Sequence, residues 1–251
     1  MIRGQSRRSR RKRVLGHFRA SSQQLLQDAG FVAVAHPVGI WIRDQHDRID
    51  VLEFVFADFK GTAPPFLTSQ SFRVDVGVFL KHVPHAMGAR FVGFGGFPVD
   101  GTASCQFRLR LQPPRLLSGV RSQEFWFVDS AMILANAAVR SAIARIKSDA
   151  LPWFDTFRDL SHVLDRALAG GAWSTMAKRS AQDIRSPDLV LGLLAVDLGR
   201  WHDAVPLLTR ALGAKNPVRL IDPAQPDLLY QALEPEIRAA LTLASDRAKT
   251  S

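Results

Sequence analysis

With 251 residues, 47% of them hydrophobic and 22% charged, the chain has the composition of an ordinary globular protein and can fill one large domain or two modest ones. A single cysteine, Cys105, excludes an intramolecular disulfide, a thiolate zinc cluster and a paired redox motif, and no apolar run reaches the ~20 residues that cross a bilayer. The formal charge of +10 is concentrated at one end: Arg3, Arg7, Arg8, Arg10, Arg11, Lys12 and Arg13 stand together without an acid, and the body is nearly balanced.

Residues 1–16 repel one another and have few apolar side chains, so a disordered basic tail is expected there. Arg7, Arg8, Arg10, Arg11, Lys12 and Arg13 would serve such a tail as a nucleic-acid contact through counterion release. The competing readings are a merely solvated arm and a start codon placed too early. No apolar segment follows in the manner of a secretory signal, and a lone cysteine suits a reducing compartment, so a cytoplasmic location is expected.

Ser21 or Ser22 is positioned to cap a helix with Leu25, Leu26 and Ala29 on one side and Gly30 at its end. Short β-prone runs follow at Phe31 to Ala35, Gly39 to Arg43 and Ile49 to Phe59. Phe72, Val74, Val76 and Val78 alternate with Arg73 and Asp75, and Cys105, Phe107, Leu109 and Leu111 alternate with Gln106, Arg108 and Arg110, which predicts two half-buried strands. A further short aromatic strand is predicted from Glu124 to Val128. The short connections favour antiparallel neighbours.

From Asp129 or Ser130 as cap, the spacing predicts a helix with Ile133, Ala137, Ile143 and Ile146 along one side. Leu151-Pro152-Trp153-Phe154 opens the next, and Gly170-Gly171 marks a boundary. Beyond it helices are predicted over about Ser186 to Leu198, Trp201 to Leu212 and Glu234 to Ala248, with a proline-rich connector from Asn216 to Pro226. The predicted class is α+β: residues 17–170 form an antiparallel sheet packed by helices, and residues 171–251 a smaller helical region.

Leu25 through Gly30-Phe31, Trp41-Ile42-Arg43, the strand Phe72 to Phe79 with Gly77, Cys105 to Arg110, Phe125-Trp126-Phe127 and Leu151-Pro152-Trp153-Phe154 occur in an order that resembles the bacterial family named domain of unknown function 4304, over roughly residues 21–165. The resemblance implies a helix-packed antiparallel sheet and no catalytic residues. The chain differs from that pattern at Ala33 to Val38, where family members often carry lysines. Residues from Leu198 to Leu212 look like the turn and second helix of a tetratricopeptide-type hairpin, and Val205, Leu208 and Leu212 are expected in its core.

The candidate chemistry is sparse. His82 and His85 have ligand-like spacing without a third ligand nearby, so no metal is expected. Gly93 to Pro98 has the glycines of a phosphate loop but lacks the strand before it and the helix after it. Cys105 is in phase with Phe107 and Leu109, as a small core hydrophobe would be. Neither a cofactor nor a catalytic set is predicted. The polar face of the sheet, with Arg73, Arg108 and Arg110, together with Trp126, is the predicted surface for a protein or acidic partner. Pairing of those arginines with Glu53, Asp75 and Glu124 is the structural alternative. The expected function is therefore a non-catalytic interaction module, by analogy an immunity-type neutraliser, with nucleic-acid binding and an unrecognised enzyme as alternatives.

Overall fold

A computed structural model of the chain describes residues 7–35, 39–57, 67–81, 102, 105–114, 124–170, 187–213 and 226–250. His82, His85, the glycine-rich stretch 93–101, Gly171 and the connector 216–225 lie outside the described residues.

The first element is a long helix, α1 (Arg7–Asp28). Over residues 7–16 it stands where a disordered tail is expected, and it carries Ser21 and Ser22 in its interior instead of at its cap. Arginine and lysine are good helix formers, and Val14, Phe18, Ser22 and Leu26, four residues apart, form a buried stripe that reaches into the basic segment. Arg11 is fixed to the fold by its side chain, donating to the Ser69 carbonyl at 2.7 Å and the Ala57 carbonyl at 2.6 Å. The helix ends at Gly30, as its sequence predicts. Gly30, at φ +82°, donates to the Gln27 carbonyl and Phe31 to the Leu26 carbonyl, the paired closure that a left-handed residue permits.

Five strands follow: β1 (Val32–Ala33), β2 (Ile40–Asp44), β3 (Arg48–Phe56), β4 (Phe72–Leu80) and β5 (Phe107–Arg110). They form one antiparallel sheet in the order β1-β2-β3-β4-β5. The alternation read from β4 is real at its start, where Phe72, Val74 and Val76 are fully buried and Arg73 is half-exposed. It fails further on, because Phe79 and Leu80 are buried too. Gln106, expected on the polar face, is also buried; its amide donates to the Leu80 carbonyl at 3.2 Å and accepts from the Leu80 N–H at 2.8 Å. A side chain thus supplies the rung that backbone pairing would have made.

Trp126 makes an isolated antiparallel bridge to Phe72 in place of the predicted strand Glu124 to Val128. The next helix, α2 (Ala135–Arg145), starts later than its predicted cap because Met132 takes a left-handed φ of 67°. Its buried side is Ala135, Ala138, Val139 and Ala142, and Ile133, predicted on the core side, is 79% exposed. Small side chains let α2 lie against α1. A π-turn, Ile146–Ala150, leads into α3 (Leu151–Asp155), where Pro152 sits in the first turn.

The remaining helices are α4 (Leu160–Ala169), α5 (Pro187–Asp197), α6 (Trp201–Gly213) and α7 (Pro226–Ala248). The last begins well before Glu234, so Pro235 lies inside it. Asp159 caps α4 by accepting from the His162 N–H. In α6 the buried stripe is Ala204, Leu207, Leu208 and Ala211, so Leu208 is in the core while Val205 and Leu212 are only half-buried.

The chain forms two compact units. One is Met1–Gln45, Asp50–Gly77 and Leu109–Asp155; the other is His46–Ile49, Val78–Arg108 and Thr156–Ser251. The units interleave along the sequence, and α4 falls in the same unit as the later helices. The first unit holds a run of rings: Trp41 to Phe18 at 5.3 Å, Phe18 to Phe54 at 4.7 Å, Phe54 to Phe72 at 4.3 Å and Phe72 to Trp126 at 5.7 Å between centroids. In the second, Phe107 meets Phe157 at 5.1 Å, and α5, α6 and α7 pack on one another.

Candidate functional site: a groove at the sheet edge

The arginine face predicted from the sequence is largely matched by its own acids. Arg73 donates to Asp75 at 2.8 Å, Arg110 donates to the other oxygen of Asp75 at 3.1 Å, and Arg110 also reaches Glu124 at 2.9 Å. Two cations and two anions cancel: Arg110 on β5 pairs across to Asp75 on β4, and Arg73 pairs with Asp75 along β4 itself. Arg108 is half-buried and partnered. Trp126 is fully buried, with its indole N–H donating to the Ser141 hydroxyl at 3.1 Å, so it is a core ring and no contact anchor. Phe125 and Phe127 on either side of it are half-buried, and the Arg73 guanidinium covers the Phe125 ring at 5.7 Å.

The basic residues of α1 also have specific places. Arg10 donates to the Ser130 carbonyl at 3.1 Å, and Arg11 lies 5.2 Å from the Phe56 ring in addition to its two carbonyl contacts. Arg8 and Lys12 are exposed one turn apart. Cys105 is buried, in keeping with its phase. Among the described residues no three His, Cys, Asp or Glu side chains gather as metal ligands, and no helix is long and apolar enough to cross a membrane.

A concave site absent from the sequence reading lies between the second half of α1 and the edge strand. It is a groove of about 480 Å³. Arg19, Gln23 and Gln27 line it from α1, and residues Val32 to Ala35 line it from β1 and the turn after it. Leu26, Phe31 and Trp41, all nearly inaccessible, give it an apolar floor. That floor is held from below: Arg43 lies 5.1 Å from the Phe31 ring, donates to the Ala29 carbonyl at the end of α1 and is paired with the fully buried Asp50 at 2.8 Å.

Two features give the groove recognition chemistry. The Arg19 guanidinium sits 6.0 Å from the Trp41 ring, and its Nε has no hydrogen-bond partner among the described residues. The second feature is the strand edge. Ala33 faces Trp41 and Val32 faces Ile42 in the β1–β2 pairing, and the Val34 N–H donates to the Ile40 carbonyl at 2.9 Å. Hydrogen-bonded and non-bonded pairs alternate along antiparallel strands, so the N–H and C=O of Ala33 turn away from β2 toward the side of β1 on which no described strand pairs. Val32 is 67% exposed beside it.

The residues involved are bland in sequence. Alanine and valine at an edge, glutamines on a helix and one arginine carry no motif; only the shortness of the Phe31 to Ala35 run and the clustering of Arg19, Gln23 and Gln27 on one helical side are visible beforehand. Comparison of the chain with protein-family models, with curated proteins and with solved structures finds no match.

Proposed function

We propose that the protein acts by binding, as a non-catalytic interaction module, and that the groove between α1 and β1 is its recognition site. The observation that carries this reading is the pairing of an apolar floor with an arginine whose Nε has no hydrogen-bond partner among the described residues. An apolar cleft with a few convergent polar groups is the usual form of a binding site. The likeness of residues 21–165 to the domain of unknown function 4304, and an immunity-type role, belong to the same proposal. Titration of isotope-labelled protein with small carboxylates and aromatic amides tests it. Amide and indole shifts should converge on Gln23, Gln27, Val34 and Trp41, and shifts scattered over the surface would reject the site.

A second reading is nucleic-acid binding by the start of α1. It is favoured by one observation: α1 has no acid in its first turn and a dense set of cations there, at the end where the helix dipole is already positive. A polyanion would relieve that repulsion. Replacing Arg8 and Lys12 by glutamate should abolish a salt-sensitive interaction with DNA or RNA, and unchanged binding would exclude this reading.

A further inference from the structure

Resting on the groove as recognition site, we infer that its occupant is an extended peptide that adds to β1 as a sixth, antiparallel strand and directs an acidic side chain at Arg19. Strand addition needs an edge whose backbone groups point outward and a pocket for alternate side chains, and both are present. The register follows from the pairing. Ala33 and Trp41 stand opposite one another, so their side chains share a sheet face, and Trp41 touches Phe18 of α1, which identifies that face as the one α1 covers. A peptide residue placed opposite Ala33 exchanges both backbone hydrogen bonds with it and projects its side chain onto the same face, into the groove beside Arg19.

Charge selects the type of residue. The guanidinium of Arg19 lies over the Trp41 ring, and the amides of Gln23 and Gln27 stand along the same wall, so a carboxylate entering here gains charge-assisted hydrogen bonds while its own acceptors are met. The residue two places along the peptide returns to this face and meets the floor of Leu26, Phe31 and Trp41, where an apolar side chain fits. The residues between them face the opposite side and are unspecified. The recognised unit is thus an acidic residue, a free position and an apolar residue in extended conformation. A lysine in the first position would be repelled by Arg19.

The test uses the full chain and short, blocked, β-prone peptides labelled for fluorescence anisotropy. A peptide with glutamate at the central position should bind, and glutamine or lysine there should weaken binding by at least about tenfold, as loss of a charged hydrogen bond implies. Arg19→Ala should weaken the glutamate peptide by a similar factor, and Arg19→Glu should shift preference to lysine. Because a variant on α1 can disturb the fold, the decisive arm changes only the peptide. N-methylation of the central residue removes the bond to Ala33 and should abolish binding, whereas N-methylation of the next residue, whose N–H points away, should not. Equal tolerance of both methylations, or equal binding of lysine and glutamate peptides, overturns the inference. If carboxylate fragments still converge on the groove, the site survives and strand addition alone is wrong; if fragments miss it as well, both fall. Dimerisation of the protein through β1, seen by light scattering, would also overturn the peptide as occupant.

Discussion

Asp75 accepts from Arg110 at 3.1 Å while its other oxygen accepts from Arg73 at 2.8 Å, so one carboxylate on β4 holds two arginines. The carboxylate is the more buried partner, with 11% of its side chain exposed against 27% for Arg73 and 32% for Arg110. Asp75→Ala takes the carboxylate from Arg73 and leaves Arg110 with Glu124, and should cost about 2 kcal/mol, below the range for fully buried pairs because both guanidinium groups reach water. Arg110→Ala should cost about 1 kcal/mol or less, since Arg73 still matches Asp75. Urea denaturation of the two variants measures the asymmetry, and equal losses would contradict it.

Trp126 is predicted to serve stability. Ser141→Ala strands a buried indole N–H and should lower stability by about 1–3 kcal/mol, and Trp126→Ala, which also removes a ring stacked on Phe72, by about 3–5 kcal/mol. Thermal melts read both. Ser141→Ala should leave ligand binding in the groove unchanged, whereas a binding loss without a stability loss would restore Trp126 as a contact residue.

The contrast between these residues and the groove shows what the sequence carries. The strand from Phe72 was legible because alternation of apolar and polar residues is a local property of a half-buried ribbon, and the pairing of Arg110 with Asp75 and Glu124 could be weighed once two strands were assigned. The start of α1 is not legible, because the density of arginines conceals a four-residue spacing through Val14, Phe18, Ser22 and Leu26 whose value appears only when the sheet is there to bury it. Trp126 has no periodicity to fix its side, since a single bridge to Phe72 places it. The groove was illegible for a related reason: Arg19 and Ala33 are brought together by the turn at Gly30, and neither residue announces it.

Gly192 in α5 is a point of close helix contact. A β-carbon there would lie 2.7 Å from Leu208 Cδ2, 2.9 Å from its Cγ and 3.3 Å from Leu207 Cβ. Leu208 is fully buried and has little room to yield. Gly192→Val should destabilise the α5–α6 hairpin by about 2 kcal/mol or more through overpacking. Combining it with Leu208→Ala should recover part of the loss, and a denaturation midpoint for the double variant no better than for Gly192→Val alone would contradict this contact.

Asp129 accepts from the backbone N–H of Leu134 at 2.8 Å and of Ala131 at 3.0 Å. Burial alone would raise its pKa, but the backbone donors, Leu134 first, outweigh it and hold the carboxyl below its ordinary value of 3.8. A group with a depressed folded pKa adds stability above its unfolded pKa and loses it as pH falls through the folded one. Asp129→Asn should therefore cost about 1 kcal/mol near neutral pH, with the difference from the parent protein shrinking below about pH 4. A gap that stays constant down to acid pH would mean that the carboxylate charge plays no part.

The binding account depends most directly on Ala33, whose peptide groups must be open before any partner arrives. Residue-resolved hydrogen exchange on the free protein measures this. The account predicts rapid exchange at the Ala33 amide beside slow exchange at Val34, whose N–H is bonded to the Ile40 carbonyl, and slowing at Ala33 when a strand-forming acidic peptide is added. An Ala33 amide as protected as Val34 in the free protein would show the edge already covered and would contradict it.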